Sequence, residues 1–168
     1  MKQVVLVGFM GAGKTTIGQQ LAEKMQVAQA DLDALIVEKI GMPIAAYFDQ
    51  FGEAAFRQVE TQVLKDCQTF EGVLSTGGGI VLNAENRQVL QSMPLVVYLQ
   101  ADIETLIARV TADTANVRPL ATEQSAAEIK AVYLPRVPLY EASSTHIVET
   151  THRSVDDVVN EILDLVGE

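Results

Sequence analysis

Gly8-Phe9-Met10-Gly11-Ala12-Gly13-Lys14-Thr15 is the stretch on which the reading of this chain turns. It matches G-x-x-x-x-G-K-[ST] and lies between an apolar run, Val4 to Val7, and a helical pattern over 14–25. Glycines let backbone N–H groups curl around phosphate oxygens, and the helix that follows turns its positive N-terminal end to the same place. Lys14 adds a mobile charge for β- and γ-phosphates, and the Thr15 hydroxyl suits Mg²⁺. The bland alternative is a glycine-rich turn with a solvated lysine. It gives no reason for three glycines and a lysine at this spacing between strand and helix, so a purine nucleoside triphosphate is the first expected ligand.

Working outward, Gly72 to Thr76, Leu95 to Leu99 and His146 to Glu149 are short, β-branched and bounded by turn residues, as buried strands are. Val27 to Ala30 is a weaker fifth candidate, placed mainly by its position before Asp31. Helical patterns fall near 32–40, 53–69, 84–92, 102–111, 125–134 and 154–166. Strands alternating with helices predict an α/β fold, a parallel sheet with helices on both faces. No repeat or linker divides the chain, so residues 1–168 read as one domain. The segment 113–125, with few large apolar residues and the turn signal Arg118-Pro119-Leu120, reads as an exposed loop.

The charge balance narrows the partners. Lys and Arg number 12 against 22 Asp and Glu, a formal net charge of −10. Such a chain repels a polyphosphate backbone and an anionic membrane surface, which argues against nucleic acid and membrane as partners. No apolar run approaches the roughly 18 residues of a membrane span, no signal peptide pattern opens the chain, and a cytoplasmic location is expected. The one cysteine, Cys67, cannot form an internal disulfide, and it falls in a stripe with Phe56, Val59, Val63 and Phe70 at the spacing of a buried helix face. Core packing is therefore expected of it rather than a reactive thiol.

Three further groups of residues carry chemistry. Asp31-Leu32-Asp33 follows the weak strand; if the segment stays extended, both carboxylates face one cleft, one for the metal shell and one for an acceptor hydroxyl. The alternative is that one of them caps the next helix. Gly77-Gly78-Gly79 follows the third strand at a conformational cost that a simple turn does not need, so close backbone approach to a ligand is the better reading. That strand offers only the hydroxyls of Ser75 and Thr76, which leaves Asp31 as the acidic metal partner. Six arginines stand in this acidic chain. Arg57 sits three residues from Glu60 on a helix, near enough to be oriented by it, and Arg136 lies between Pro135 and Pro138. Surface salt bridges are the plain alternative for any one of them; two such forks would suit a small anionic acceptor.

Taken together, these residues resemble the shikimate kinase family, on the nucleoside monophosphate kinase-like fold. The resemblance runs from Val4 to about Ser143 and rests on the phosphate loop, Asp31-x-Asp33, Gly41 and Ile44, Phe48, Gly52-Glu53-x-x-Phe56-Arg57-x-x-Glu60, Gly77-Gly78-Gly79, Arg118-Pro119-Leu120 and Arg136-x-Pro138-Leu139-Tyr140. It implies a three-layer P-loop kinase with a five-stranded parallel sheet in order 2-3-1-4-5. Further implied are a phosphate loop at 8–15, a substrate-binding region over about 32–60 and a lid over about 111–124. The implied reaction is transfer of the ATP γ-phosphoryl group, with Mg²⁺, to the 3-hydroxyl of shikimate, on the route to chorismate and the aromatic amino acids. Implied for ATP are Gly11, Ala12, Gly13, Lys14, Thr15, Thr16, Arg118 and Arg153; for the acceptor, Asp33, Arg57, Gly77, Gly78, Gly79 and Arg136. Catalysis falls to Lys14, Asp33 and Arg118, and the metal to Thr15 and Asp31. Arg109 and Arg153 compete for the adenine ring. A monomer is expected. The rival readings are a gluconate-type or nucleotide kinase on the same scaffold, and a nucleotide-binding module without turnover.

Overall fold

The computed structural model describes residues 3–112 and 126–167. Five strands, β1 (Gln3–Val7), β2 (Ala28–Asp31), β3 (Gly72–Ser75), β4 (Val96–Gln100) and β5 (His146–Glu149), form one sheet in the order β2-β3-β1-β4-β5. Every neighbouring pair is parallel. The expected order 2-3-1-4-5 is therefore the observed one. Burial follows position: β1, β3 and most of β4 are enclosed on both faces, so they read as unbroken apolar runs. β2 and β5 are edges and expose alternate or successive residues, which is why β2 signalled weakly.

The helices are α1 (Lys14–Met25), α2 (Leu32–Ile40), α3 (Ile44–Phe51), α4 (Glu53–Asp66), α5 (Ala84–Ser92), α6 (Ile103–Ala112), α7 (Ala126–Tyr133), α8 (Val137–Ser143) and α9 (Val155–Val166). Register shows that they cover both faces. Leu6 pairs with Ser75, and both face Gly18 of α1; Val7 pairs with Tyr98, whose ring stacks on Tyr140 of α8 at 5.0 Å. Adjacent strand residues point to opposite faces, so α1 and α8 lie on opposite sides of the sheet.

Three local expectations need correction. The helix expected over 53–69 ends at Asp66 and tightens into a 3₁₀ turn over Cys67–Thr69. Helix α3 was missed because it is short and carries no buried residue, although Pro43 and Gly52 bracket it. Helix α8 was read only as a stiffened segment; Pro138 sits in its first turn, where a missing N–H costs nothing. Cys67 is buried, as packing requires, and burial pushes its thiol pKa up. Of the lid expected over 111–124, residues 111–112 close α6; residues 113–124, Arg118 among them, lie outside the described residues.

Candidate active site

The phosphate loop leaves the C-terminal end of β1, the central strand. Gly11 and Gly13 adopt φ of 82° and 91°, a region that favours glycine, and Gly13 caps α1 without any side chain closing the helix end. There is no acidic residue in the first turn of α1. Its N–H groups and its dipole are thus presented to an anion. Lys14 reaches back over the loop, its Nζ donating to the carbonyls of Gly8 at 2.5 Å and Phe9 at 3.1 Å.

A cavity of about 590 Å³ opens above the loop, lined by Gly11, Gly13, Lys14, Thr15, Thr16, Asp31, Asp33, Ser75, Thr76, Gly77 and Gly78. A smaller one of about 190 Å³ shares Gly11, Gly13 and Thr16 with it, adds Ala12, and is walled by Arg109, Thr150 and Arg153. Both arginines that compete for adenine therefore face one space. Arg109 donates to the Gly11 carbonyl at 3.2 Å and to Thr150, whereas Arg153 is held by Glu161 at 2.7 Å and by the Glu149 carbonyl at 2.9 Å. Thr150 was not foreseen; nothing but its place after the last strand marks it.

Asp31 and Asp33 do converge, but not through an extended segment. Asp31 ends β2 and Asp33 stands in the first turn of α2. Asp31 is the helix cap after all: its Oδ1 accepts from the N–H of Asp33 at 2.9 Å and of Ala34 at 3.4 Å. Both bonds fall on one oxygen, so the cap leaves Oδ2 over for the cavity that Asp31 also lines. Mg²⁺ keeps several waters and takes one or two protein oxygens beside substrate phosphates, a donor set that Thr15 and Asp31 fit. Asp33 has its pKa raised, first by burial and then by the Asp31 charge, while Lys14 and Arg57 pull it back down.

Two positions of the glycine triplet are crowded by the chain's own side chains. A Cβ on Gly77 would stand 3.0 Å from Asp33 Oδ1, and one on Gly79 would stand 2.8 Å from Arg57 Nη2. At Gly78 the nearest neighbour would be Arg136 Nη1 at 3.7 Å. The chain's own Asp33 and Arg57 thus crowd Gly77 and Gly79, and Arg136 lies in ordinary contact range of Gly78. Arg57 is oriented by Glu60 at 2.8 Å, as its spacing suggested, and its Nε is buried without a hydrogen-bond partner, the Glu53 carboxylate lying 3.7 Å away. Glu60 is buried, and that burial raises its pKa against the lowering effect of Arg57. Asn86, fully buried and unforeseen, donates to Glu60 at 3.2 Å and to the Ile80 carbonyl at 3.0 Å. Arg136 lies over the Phe9 ring, 5.8 Å from its centroid.

The sequence model of the shikimate kinase family matches residues 10–166. The chain is also 50% identical over 168 residues to the shikimate kinase of Enterococcus faecalis, with 100% of both chains covered. This chain belongs to the shikimate kinase family. Among solved structures, the Acinetobacter baumannii shikimate kinase in complex with shikimate superposes with a TM-score of 0.87 at 36% identity, covering 99% of this chain and 93% of that one. The Aquifex aeolicus shikimate kinase gives 0.81 at 32% identity, covering 98% of this chain and 95% of the other. The fold is thus that of a P-loop kinase, and the phosphate loop, the aspartate pair and Gly77 and Gly78 of the triplet stand around one cavity here.

Proposed function

We propose that the chain transfers the γ-phosphoryl group of ATP to the 3-hydroxyl of shikimate, giving 3-phosphoshikimate and ADP on the route to chorismate. The observation that carries this reading is a cavity lined by the phosphate loop, Asp33, Gly77 and Gly78, with Arg136 next to Gly78 and Arg57 next to the adjoining Gly79. Two guanidinium forks beside exposed backbone suit a compact carboxylate better than a nucleobase or a neutral sugar. A monomer is the proposed acting form. Among the described residues no helix is long and apolar enough to cross a membrane, in keeping with work in the cytoplasm.

Phosphoryl transfer leaves the protein to position the reactants and to stabilise charge spread over the transferred group. The uncapped end of α1 and Lys14 hold the phosphates, and Lys14 exchanges its contacts with the Gly8 and Phe9 carbonyls for phosphate oxygens. Bound Mg²⁺, held by Thr15 and Asp31, would neutralise phosphate charge. Arg57 and Arg136 grip the acceptor carboxylate, and Asp33 orients the hydroxyl and takes its proton late. Arg118 adds charge to the transferring group, and closure over the nucleotide excludes water.

The test is ADP release with ATP and Mg²⁺ against shikimate, quinate, gluconate and AMP. Large stimulation by shikimate alone is expected; equal stimulation by gluconate or AMP would overturn the reading.

A further inference from the structure

Gly77 to Ile80 is a four-residue turn closed by the Ile80 N–H donating to the Gly77 carbonyl at 3.2 Å. Its third residue, Gly79, has φ −92° and ψ 5°, the type I geometry of about −90° and 0°. Type II differs by reversal of the central peptide and needs φ of about +80° at that residue, which glycine adopts as readily. Two central glycines therefore leave the direction of the Gly78–Gly79 peptide undecided by local sterics. A group outside the turn must choose.

Tyr140 of α8 donates its hydroxyl to the Gly78 carbonyl at 2.6 Å. The side chain is fully buried and its ring is stacked on Tyr98 at 5.0 Å, so the hydroxyl is held in place. A trans peptide is planar, with N–H opposite to C=O; anchoring the Gly78 carbonyl on Tyr140 turns the Gly79 N–H away from it. Arg136, from the turn that leads into α8, lies beside Gly78, and Arg57 lies over Gly79.

We infer that the Tyr140 hydroxyl is a positioning residue for the acceptor: it selects the type I orientation of the Gly78–Gly79 peptide and so presents the Gly79 N–H to the acceptor beside Arg57 and Arg136. The inference rests on the acceptor reading above. Burial raises the Tyr140 pKa to about 12, so the hydroxyl stays a donor throughout the working pH range.

Tyr140→Phe removes one oxygen and keeps the ring stack. In steady-state assays it raises the KM for shikimate about tenfold, the scale of one lost donor to a buried carbonyl, with kcat and the KM for ATP changed less than about twofold. In NMR spectra of the wild type the Gly78 Hα to Gly79 N–H NOE is weak; in Tyr140→Phe it grows strong, the mark of a type II population. An unchanged shikimate KM, a parallel loss of ATP affinity and melting temperature, or a type II NOE already present in the wild type would each overturn the inference. If wild-type turnover does not respond to shikimate, the acceptor reading fails instead, and the NOE comparison still decides whether Tyr140 selects the turn.

Discussion

Replacing Gly79 by alanine adds a single methyl group where the chain has no room for it. The new carbon would sit 2.8 Å from Arg57 Nη2 and 3.2 Å from Nη1, whereas ordinary contact begins at 3.4 Å, so the guanidinium must retreat by about 0.6 Å. It cannot simply swing away, because Glu60 holds Nη1 at 2.8 Å and is itself held by Asn86. A shift of that size exceeds the roughly 0.5 Å within which a binding constellation keeps its geometry. Losing one charge-assisted hydrogen bond costs about 1.5–3 kcal/mol, or roughly ten- to 150-fold in acceptor affinity. The backbone at Gly79, φ −92° and ψ 5°, is open to alanine, and the stiffer unfolded chain contributes about 0.4–1 kcal/mol in favour of folding. Gly79→Ala should therefore raise the KM for shikimate at least tenfold, with ATP affinity and melting temperature held. Gly78→Ala is the control, since its Cβ meets nothing nearer than 3.7 Å. Initial rates at varied shikimate and saturating ATP, together with a thermal melt, decide it. If Gly78→Ala and Gly79→Ala behave alike, the seating of Arg57 on Gly79 is not what the glycine is for.

Lys14→Met should lower kcat at least about a hundredfold, as loss of a strong electrostatic stabiliser does; near-normal turnover would refute the role of the phosphate loop. Asp31→Asn should shift the Mg²⁺ dependence upward and recover activity with excess metal, whereas Asp33→Asn should lose roughly 10²–10⁴ in kcat with no such recovery. Titrating Mg²⁺ in both variants separates the roles, and rescue of Asp33→Asn would count against them. In the proposed role Asp33 acts as the carboxylate, and burial raises its pKa above the ordinary 3.8, so activity should be full above the raised value and fall as pH drops through it. The acid limb of kcat/KM should lie above 3.8 and move down in Asp31→Asn, whose missing charge no longer raises Asp33; a limb at or below 3.8 in the wild type contradicts the argument.

What was legible in the sequence tracks how local the cause is. The phosphate loop, with its flanking strand and helix, is set by contiguous residues, and the Arg57–Glu60 pair by one helical turn. The sheet order was carried by family resemblance, because an edge strand such as β2 has little apolar signal of its own. The two aspartates were rightly brought together for a wrong geometric reason: a strand end and a helix start also converge, with Asp31 serving as cap and cavity wall at once. Asn86 and Thr150 escaped because their partners lie far along the chain, Asn86 being 26 residues from Glu60 and Thr150 being 41 from Arg109. The use of the glycine triplet was legible only as close approach; which groups approach depends on where α2, α4 and the turn before α8 meet it.

The two sides of the cavity are built on ground of very different firmness. The phosphate loop hangs from β1, all of whose residues are enclosed by strands on either side, so the β1 amides should exchange with solvent only when the whole domain opens. The acceptor side leans on α2, α3 and α4, of which α3 has no fully buried residue and leaves Phe51 half exposed. That segment belongs to the low end of the local opening scale. The acceptor wall is therefore free to loosen and re-form while the nucleotide anchor stays intact, so substrate entry need draw on only a small part of the domain's folding free energy.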